Sequence, residues 1–149
     1  MEEARSLVSD LPEDIVPIRG RDTPGIIREK QFEEDERLKI AVFDDTVTAI
    51  NSNAFRKCVN LHRIKWPPNL KTIQTLAFAK CRALKGELKL PDSVTKISSK
   101  AFMKTGYTSV VLPPGLRTFS LDTFKDGRIK TIVFPDSIEM LKGGLESEI

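Results

Sequence analysis

Long apolar runs, paired histidines and phosphate-binding glycine loops are all missing from this chain of 149 residues. It has one histidine, one tryptophan, one tyrosine and two cysteines. A single histidine leaves any Ser-His-Asp or Cys-His arrangement resting on His62, and no nucleophile stands at a recognisable spacing from it. Cys58, His62 and Cys81 would supply three ligands to a zinc ion, but a structural site needs four and the sequence offers no fourth of the right type. The pair Gly143-Gly144 lacks the Lys-Ser/Thr and the strand-to-helix setting of a phosphate loop. The expectation is therefore a non-enzyme with no catalytic residues, no metal and no cofactor. No stretch approaches the run of about 18 apolar residues that a membrane span requires. The opening MEEARSLVSDLPEDIV is acidic and has neither the basic nor the apolar block of a secretion signal. An intracellular, cytoplasmic protein is expected on that ground, or a cell-surface one if the sequence is a piece of a longer chain.

Hydrophobic residues make up 40% and charged residues 30%, which suits one soluble domain with an independent core. The formal net charge of +3 hides a division. Residues 1–40 carry 7 Lys/Arg against 11 Asp/Glu, whereas residues 41–149 carry 17 against 10. An acidic leader, net −4, precedes a basic body, net +7. Pro12 and Pro17 break any long helix in the leader, so residues 1–20 read as an acidic arm that packs on the body or screens it from acidic partners.

What the chain does contain is a period. Ile50, Ile73, Ile97 and Phe119 each stand five residues before Phe55, Phe78, Phe102 and Phe124, and those phenylalanines are separated by 23, 24 and 22 residues. Ile27 and Phe32 keep the same spacing one unit earlier, followed by the charged run EEDER. Self-similarity at such a period marks a solenoid, whose units bury their apolar sides only against neighbours and whose terminal unit must show a polar face. The spacing predicts a cap repeat at about 21–43, repeats at about 44–66, 67–90, 91–112 and 113–134, and a partial one at 135–149. Asp44, Pro67, Pro91, Pro113 and Pro135 hold equivalent positions, each of the first four 11 residues before the next Phe. The distance from Phe to the next of these positions varies, which predicts insertions in the turn leading into the following strand.

Ahead of each proline the residue types alternate. Ile64 and Trp66, Leu88 and Leu90, Val110 and Leu112, and Ile132 and Phe134 occupy the third and first places before it. Strand side chains alternate between faces, so these point inward and their neighbours outward. One strand per repeat gives a parallel sheet along one side. A second inner row is expected at Val47, Leu70, Val94, Leu116 and Ile138 with the Ile, Phe or Leu three residues on. The Ala-Phe blocks are too short for long helices, and one or two helical turns are expected to plunge each Phe into the core.

The units VTAINSNAFRKCVNLHRIKWP, LKTIQTLAFAKCRALKGELKLP and VTKISSKAFMKTGYTSVVLP resemble leucine-rich repeats of the BspA, or Treponema pallidum, type. The likeness covers residues 21–149. It implies an α/β fold: a right-handed solenoid with a parallel β-sheet on the concave face and short helical turns or short strands elsewhere. Thr105 and Gly127 replace the family's Cys in two later units, and no Asn ladder follows the strand. Cys58 and Cys81 fall in equivalent places, and without a secretion signal they are expected as buried, reduced thiols.

Two surfaces stand out as candidates. The outward strand positions include Arg63, Lys65, Lys89, Val111 and Val133, grading from charged to apolar, and these are the expected contacts of a protein partner or larger assembly. Many relatives of this repeat type resemble adhesins, which gives an alternative reading as a surface protein. Lys57, Lys80 and Lys104 form a second column, with Lys125 one place off. Stacked like charges suit an anionic partner, an acidic protein or nucleic acid, although no aromatic residues are interleaved for base stacking. Nucleic acid is the less expected of the two.

Overall fold

The computed structural model of the protein describes residues 15–143. Residues 1–14, most of the acidic arm expected at 1–20, and the end of the partial repeat from residue 144 lie outside the described residues. The chain winds into a parallel-strand solenoid of about five turns. Among the described residues eleven short strands alternate between two sides of it.

One side is built from the segments before each proline: β2 (Ile40–Val42), β4 (Arg63–Lys65), β6 (Lys85–Lys89), β8 (Gly106–Val111) and β10 (Thr131–Val133). The alternation holds here, since Ala41, Leu88 and Val110 are buried while Lys65 and Lys89 are exposed. The second side carries β1 (Ile26–Ile27), β3 (Ala49–Ile50), β5 (Thr72–Ile73), β7 (Lys96–Ile97), β9 (Thr118–Ser120) and β11 (Met140–Lys142). Its first four strands pair in parallel in the order β1-β3-β5-β7, with Ile27, Ile50 and Ile73 in one buried row that Ile97 continues.

Between the two sides the phenylalanines form an interior file. Phe32, Phe55, Phe78, Phe102 and Phe124 stack with successive centroid distances of 5.1, 4.9, 5.3 and 5.5 Å. Offset and parallel ring packing adds about 0.5–1.5 kcal/mol per pair beyond the area each ring removes from water. The alanine before Phe55, Phe78 and Phe102 is fully buried, leaving room for the turns to approach.

The connection around each Phe differs from the expectation of helical turns. Among the described residues the only helical piece is the 3-10 turn Leu121–Phe124, so the α part of the α/β expectation is not met. The reason lies in the backbone. Two residues of each of the first four Phe blocks adopt positive φ: Lys30 and Glu34, Asn53 and Lys57, Leu76 and Lys80, Lys100 and Lys104. A left-handed residue ends a helical run after every tight turn. The freed N–H groups donate to the next turn of the solenoid instead. Phe55 N–H reaches Ala77 O at 2.8 Å, and Lys57 N–H reaches Ala79 O at 2.8 Å. This third ladder satisfies backbone groups that a helix would have satisfied locally.

The strand ladder on the pre-proline side is interrupted. β2 pairs with β4, and β8 with β6 and β10, but these are separate sheets. Leu84 and Leu88 are both buried and four residues apart, where Leu61 and Ile64 stand three apart. The extra residue is accommodated inside β6 rather than in the turn before it, as the sequence led one to expect. Gly86 has φ 84° and the register against β8 shifts between Gly86 and Glu87. A bulge of this kind re-aims a strand and ends regular pairing.

At the N-terminal end Ile18 bridges to Phe43, and Arg19 donates to the Asp44 carboxylate at 2.8 Å. Asp44 stands where later turns have proline, and it also accepts from Thr46 N–H and hydroxyl. The Gln31 side chain ties the same region together, accepting from Arg28 N–H and donating to Arg19 O.

Candidate functional site

The five residues expected to meet a partner fall into two groups. Lys89, Val111 and Val133 are direct cross-strand neighbours on β6, β8 and β10. Arg63 and Lys65 instead pair with Ile40 and Val42 on the other sheet. The structure thus assembles the C-terminal three into one row and leaves the N-terminal two across the gap between β4 and β6. Beside that row run Glu87, Ser109 and Thr131, also in register. Val133 is 51% exposed, and Phe134 and Leu141 at the same end are 41% and 50% exposed. The inward rule for the first place before proline therefore fails at Phe134, which has no following turn of described residues to cover it.

Three lysines follow one another along the stack. Lys57, Lys80 and Lys104 share the second left-handed place of their turns, and their N–H groups donate in succession to Ala79, Met103 and Lys125 carbonyls. Lys125 does not continue it. Its φ is −50°, and Asp126, with φ 57°, takes the equivalent place. The column's charges feel one another: the Lys57 ammonium, then desolvation, Arg56, Lys104 and Arg82, hold Lys80 below the ordinary lysine range.

At the N-terminal end acidic residues of the first turn meet this column. Glu33 pairs with Arg56 at 3.7 Å and Glu34 with Lys57 at 3.5 Å. Further along, Arg82, Lys85, Lys104 and Arg128 line one hollow together with Thr105, Gly106 and Asp126. The sequence reading missed Arg82, Lys85 and Arg128 as site residues. Arg82 and Arg128 hold the same place, four residues after Phe78 and Phe124, but the unit between them has Gly106 there, and Lys85 falls elsewhere in its unit.

Both cysteines are free and buried. The Cys58 thiol donates to Phe32 O and the Cys81 thiol to Phe55 O, each at 3.0 Å. Burial pushes the Cys81 thiol well up from its ordinary value. Thr105, in the corresponding place of the next turn, donates its hydroxyl to Phe102 O at 3.0 Å. His62 lies exposed at the surface, its Nδ1 3.2 Å from Asn60 O. Among the described residues no helix is long and apolar enough to cross a membrane.

The fold has known counterparts. Crystal structures of a leucine-rich repeat protein from T. pallidum and of one from Bacteroides ovatus share it. The first is 23% identical with a TM-score of 0.66, and the match covers 85% of this chain and 71% of that one. The second is 26% identical with a TM-score of 0.60, covering 85% of this chain but only 39% of the other. No curated protein matches the sequence. The BspA type leucine rich repeat region matches residues 25–144 in six copies. That span takes in every turn of the solenoid described above, and the chain belongs to the BspA-type leucine-rich-repeat family.

Proposed function

We propose that this chain is a non-catalytic module that binds a protein partner, or holds its place in an assembly, through the sheet of β6, β8 and β10. The observation that carries the reading is the row Lys89, Val111 and Val133, an apolar pair in register with a cation and flanked by Glu87, Ser109 and Thr131. Small apolar areas with polar surrounds are favoured contact surfaces, and repeat proteins present them on faces extended along the stack. Leucine-rich repeats generally serve as interaction or scaffold modules, and a family not generally catalytic supports the non-enzymatic reading indirectly. Arg63 and Lys65, on the separate sheet of β2 and β4, lie beyond that row toward the N-terminal end.

Crosslinking in the native source followed by mass spectrometry tests this. Crosslinks from β6, β8 and β10 to one recurring partner are expected, and Val111→Asp with Val133→Asp is expected to remove them. If charge reversal at Lys65 and Lys89 combined with Val111→Asp leaves every crosslinked partner unchanged, this surface is not the one used.

A further inference from the structure

On the flank where each Phe turn leads into the next pre-proline strand, the solenoid carries a cationic trough. Arg82, Lys85, Lys104 and Arg128 wall it, and Asp126 is the only acid among its lining residues. An adjoining hollow shares Arg82 and Lys85 and adds Lys39 and His62. The cations therefore sit on consecutive turns, which the phenylalanine file spaces 4.9 to 5.5 Å apart.

A solvated basic edge would need no further account, but this chain shows what the edge accepts. At its N-terminal end the column is already covered by an acidic segment, with Glu33 on Arg56 and Glu34 on Lys57. Two turns later the pattern of cations continues and the acids do not. Among the described residues Arg82, Lys85, Lys104 and Arg128 make no ion pair, since the five pairs there engage other cations. The repulsion that depresses Lys80 has the same origin. Charge complementarity favours an occupant that repeats what Glu33 and Glu34 do. Nucleic acid fits less well. No Phe, Tyr or Trp side chain lines either hollow, so the large aromatic platforms that supply about 1–3 kcal/mol per base in single-strand binders are missing from them.

We propose that this trough binds a short acidic peptide segment of a partner protein, laid along the solenoid axis with its carboxylates on Arg82, Lys85, Lys104 and Arg128. The proposal rests on the reading of the chain as a protein-binding module but uses the edge where β6 and β8 begin, with residues of the turns before them, and none of the Lys89, Val111 and Val133 row. The two can fail separately.

Fluorescence anisotropy on the full chain tests it, using a fluorescein-labelled alternating Glu-Ala peptide of about ten residues, whose carboxylates line one side when extended. A Gln-Ala peptide and an oligothymidylate of similar length serve as comparisons. Saturable binding of the Glu-Ala peptide is expected at low salt, weakening as salt screens the charges, with none of the Gln-Ala peptide. R82E/K104E is expected to weaken binding about tenfold or more, in keeping with the several charge contacts reversed. R82Q/K104Q, which removes charge without adding any, is expected to weaken it less and covers the case in which the reversal variant does not fold. K71E/K96E, on the opposite sheet, and Val111→Asp are expected to bind as the parent does. No saturable Glu-Ala binding, an equal loss with K71E/K96E, or tighter binding of the oligothymidylate than of the peptide would overturn the proposal.

Discussion

The ring of Phe55 lies on the ring of Phe78 with centroids 4.9 Å apart and planes 1° from parallel. Phe78 meets Phe102 on its other side at 5.3 Å and takes the edge of Trp66 at 5.4 Å. Phe78→Ala thus removes two stacked partners and a fully buried ring, and about 3–5 kcal/mol of stability is the expected loss. Phe124 has one near-parallel neighbour, Phe102, and a tilted one, Phe119. Phe124→Ala is expected to cost less, and chemical denaturation of the two variants side by side gives the order.

Lys100 sits in the left-handed region at φ 60°, the place that Asn53 holds two turns earlier. Asparagine tolerates that conformation and a β-branched residue does not. Lys100→Val is expected to lose roughly 1–2 kcal/mol, whereas Lys100→Asn is expected to be neutral or mildly stabilising. Denaturant midpoints read both directly.

Burial raises the pKa of two groups, the Cys81 thiol and the Tyr107 hydroxyl. In the unfolded chain each ionises at its ordinary value, about 8.5 for the thiol and about 10 for the phenol. A folded pKa above the unfolded one means the unfolded state releases protons first as pH rises. The contribution of these groups is therefore whole below about pH 8 and declines above it, through the unfolded values toward the folded ones. Stability is expected to fall between about pH 8.5 and 11, and Cys81→Ala with Tyr107→Phe is expected to flatten that slope. By the same logic iodoacetamide at neutral pH is expected to modify Cys81 only after denaturation.

Gly106 and Gly86 make a matched pair. A Cβ on Gly106 would lie 2.6 Å from Leu84 O and 3.0 Å from Arg82 O, both backbone atoms of the preceding turn. Gly106→Ala is expected to push β8 off that turn and cost about 1–3 kcal/mol. A Cβ on Gly86 would meet nothing within 4 Å, so Gly86→Ala carries only the strain of its positive φ, about 1 kcal/mol. Thermal melts of the two variants separate a steric demand from a conformational one.

The core was legible because its spacing is carried by residues of one kind. Phe55, Phe78 and Phe102 recur at nearly constant distance, and a side chain so large has only one place to go in a stack of identical turns. The turns around them were not legible. Their left-handed places are filled by Lys57, Lys80, Lys104 and Leu76, not by glycine, so composition gave no sign that a helix would be refused. Hydrogen bonds to the neighbouring turn impose that backbone, and such bonds leave no mark on local sequence. Lys125 stands one place off the column in sequence, and the backbone gives the column's place to Asp126. The trough escaped because Arg82 and Arg128 hold one place in units two apart with Gly106 between them, and only the winding of the chain sets Lys85 and Lys104 beside them.

The bulge at Gly86 leaves the second and third turns fastened on two sides only, by the Ile50 and Ile73 strands and by the Phe55 to Ala77 bond. A seam open on the third side is where a coil of this kind can flex without breaking a backbone bond. Anything gripping Lys65 and Lys89 at once would span that joint and set the angle between the front and rear of the molecule.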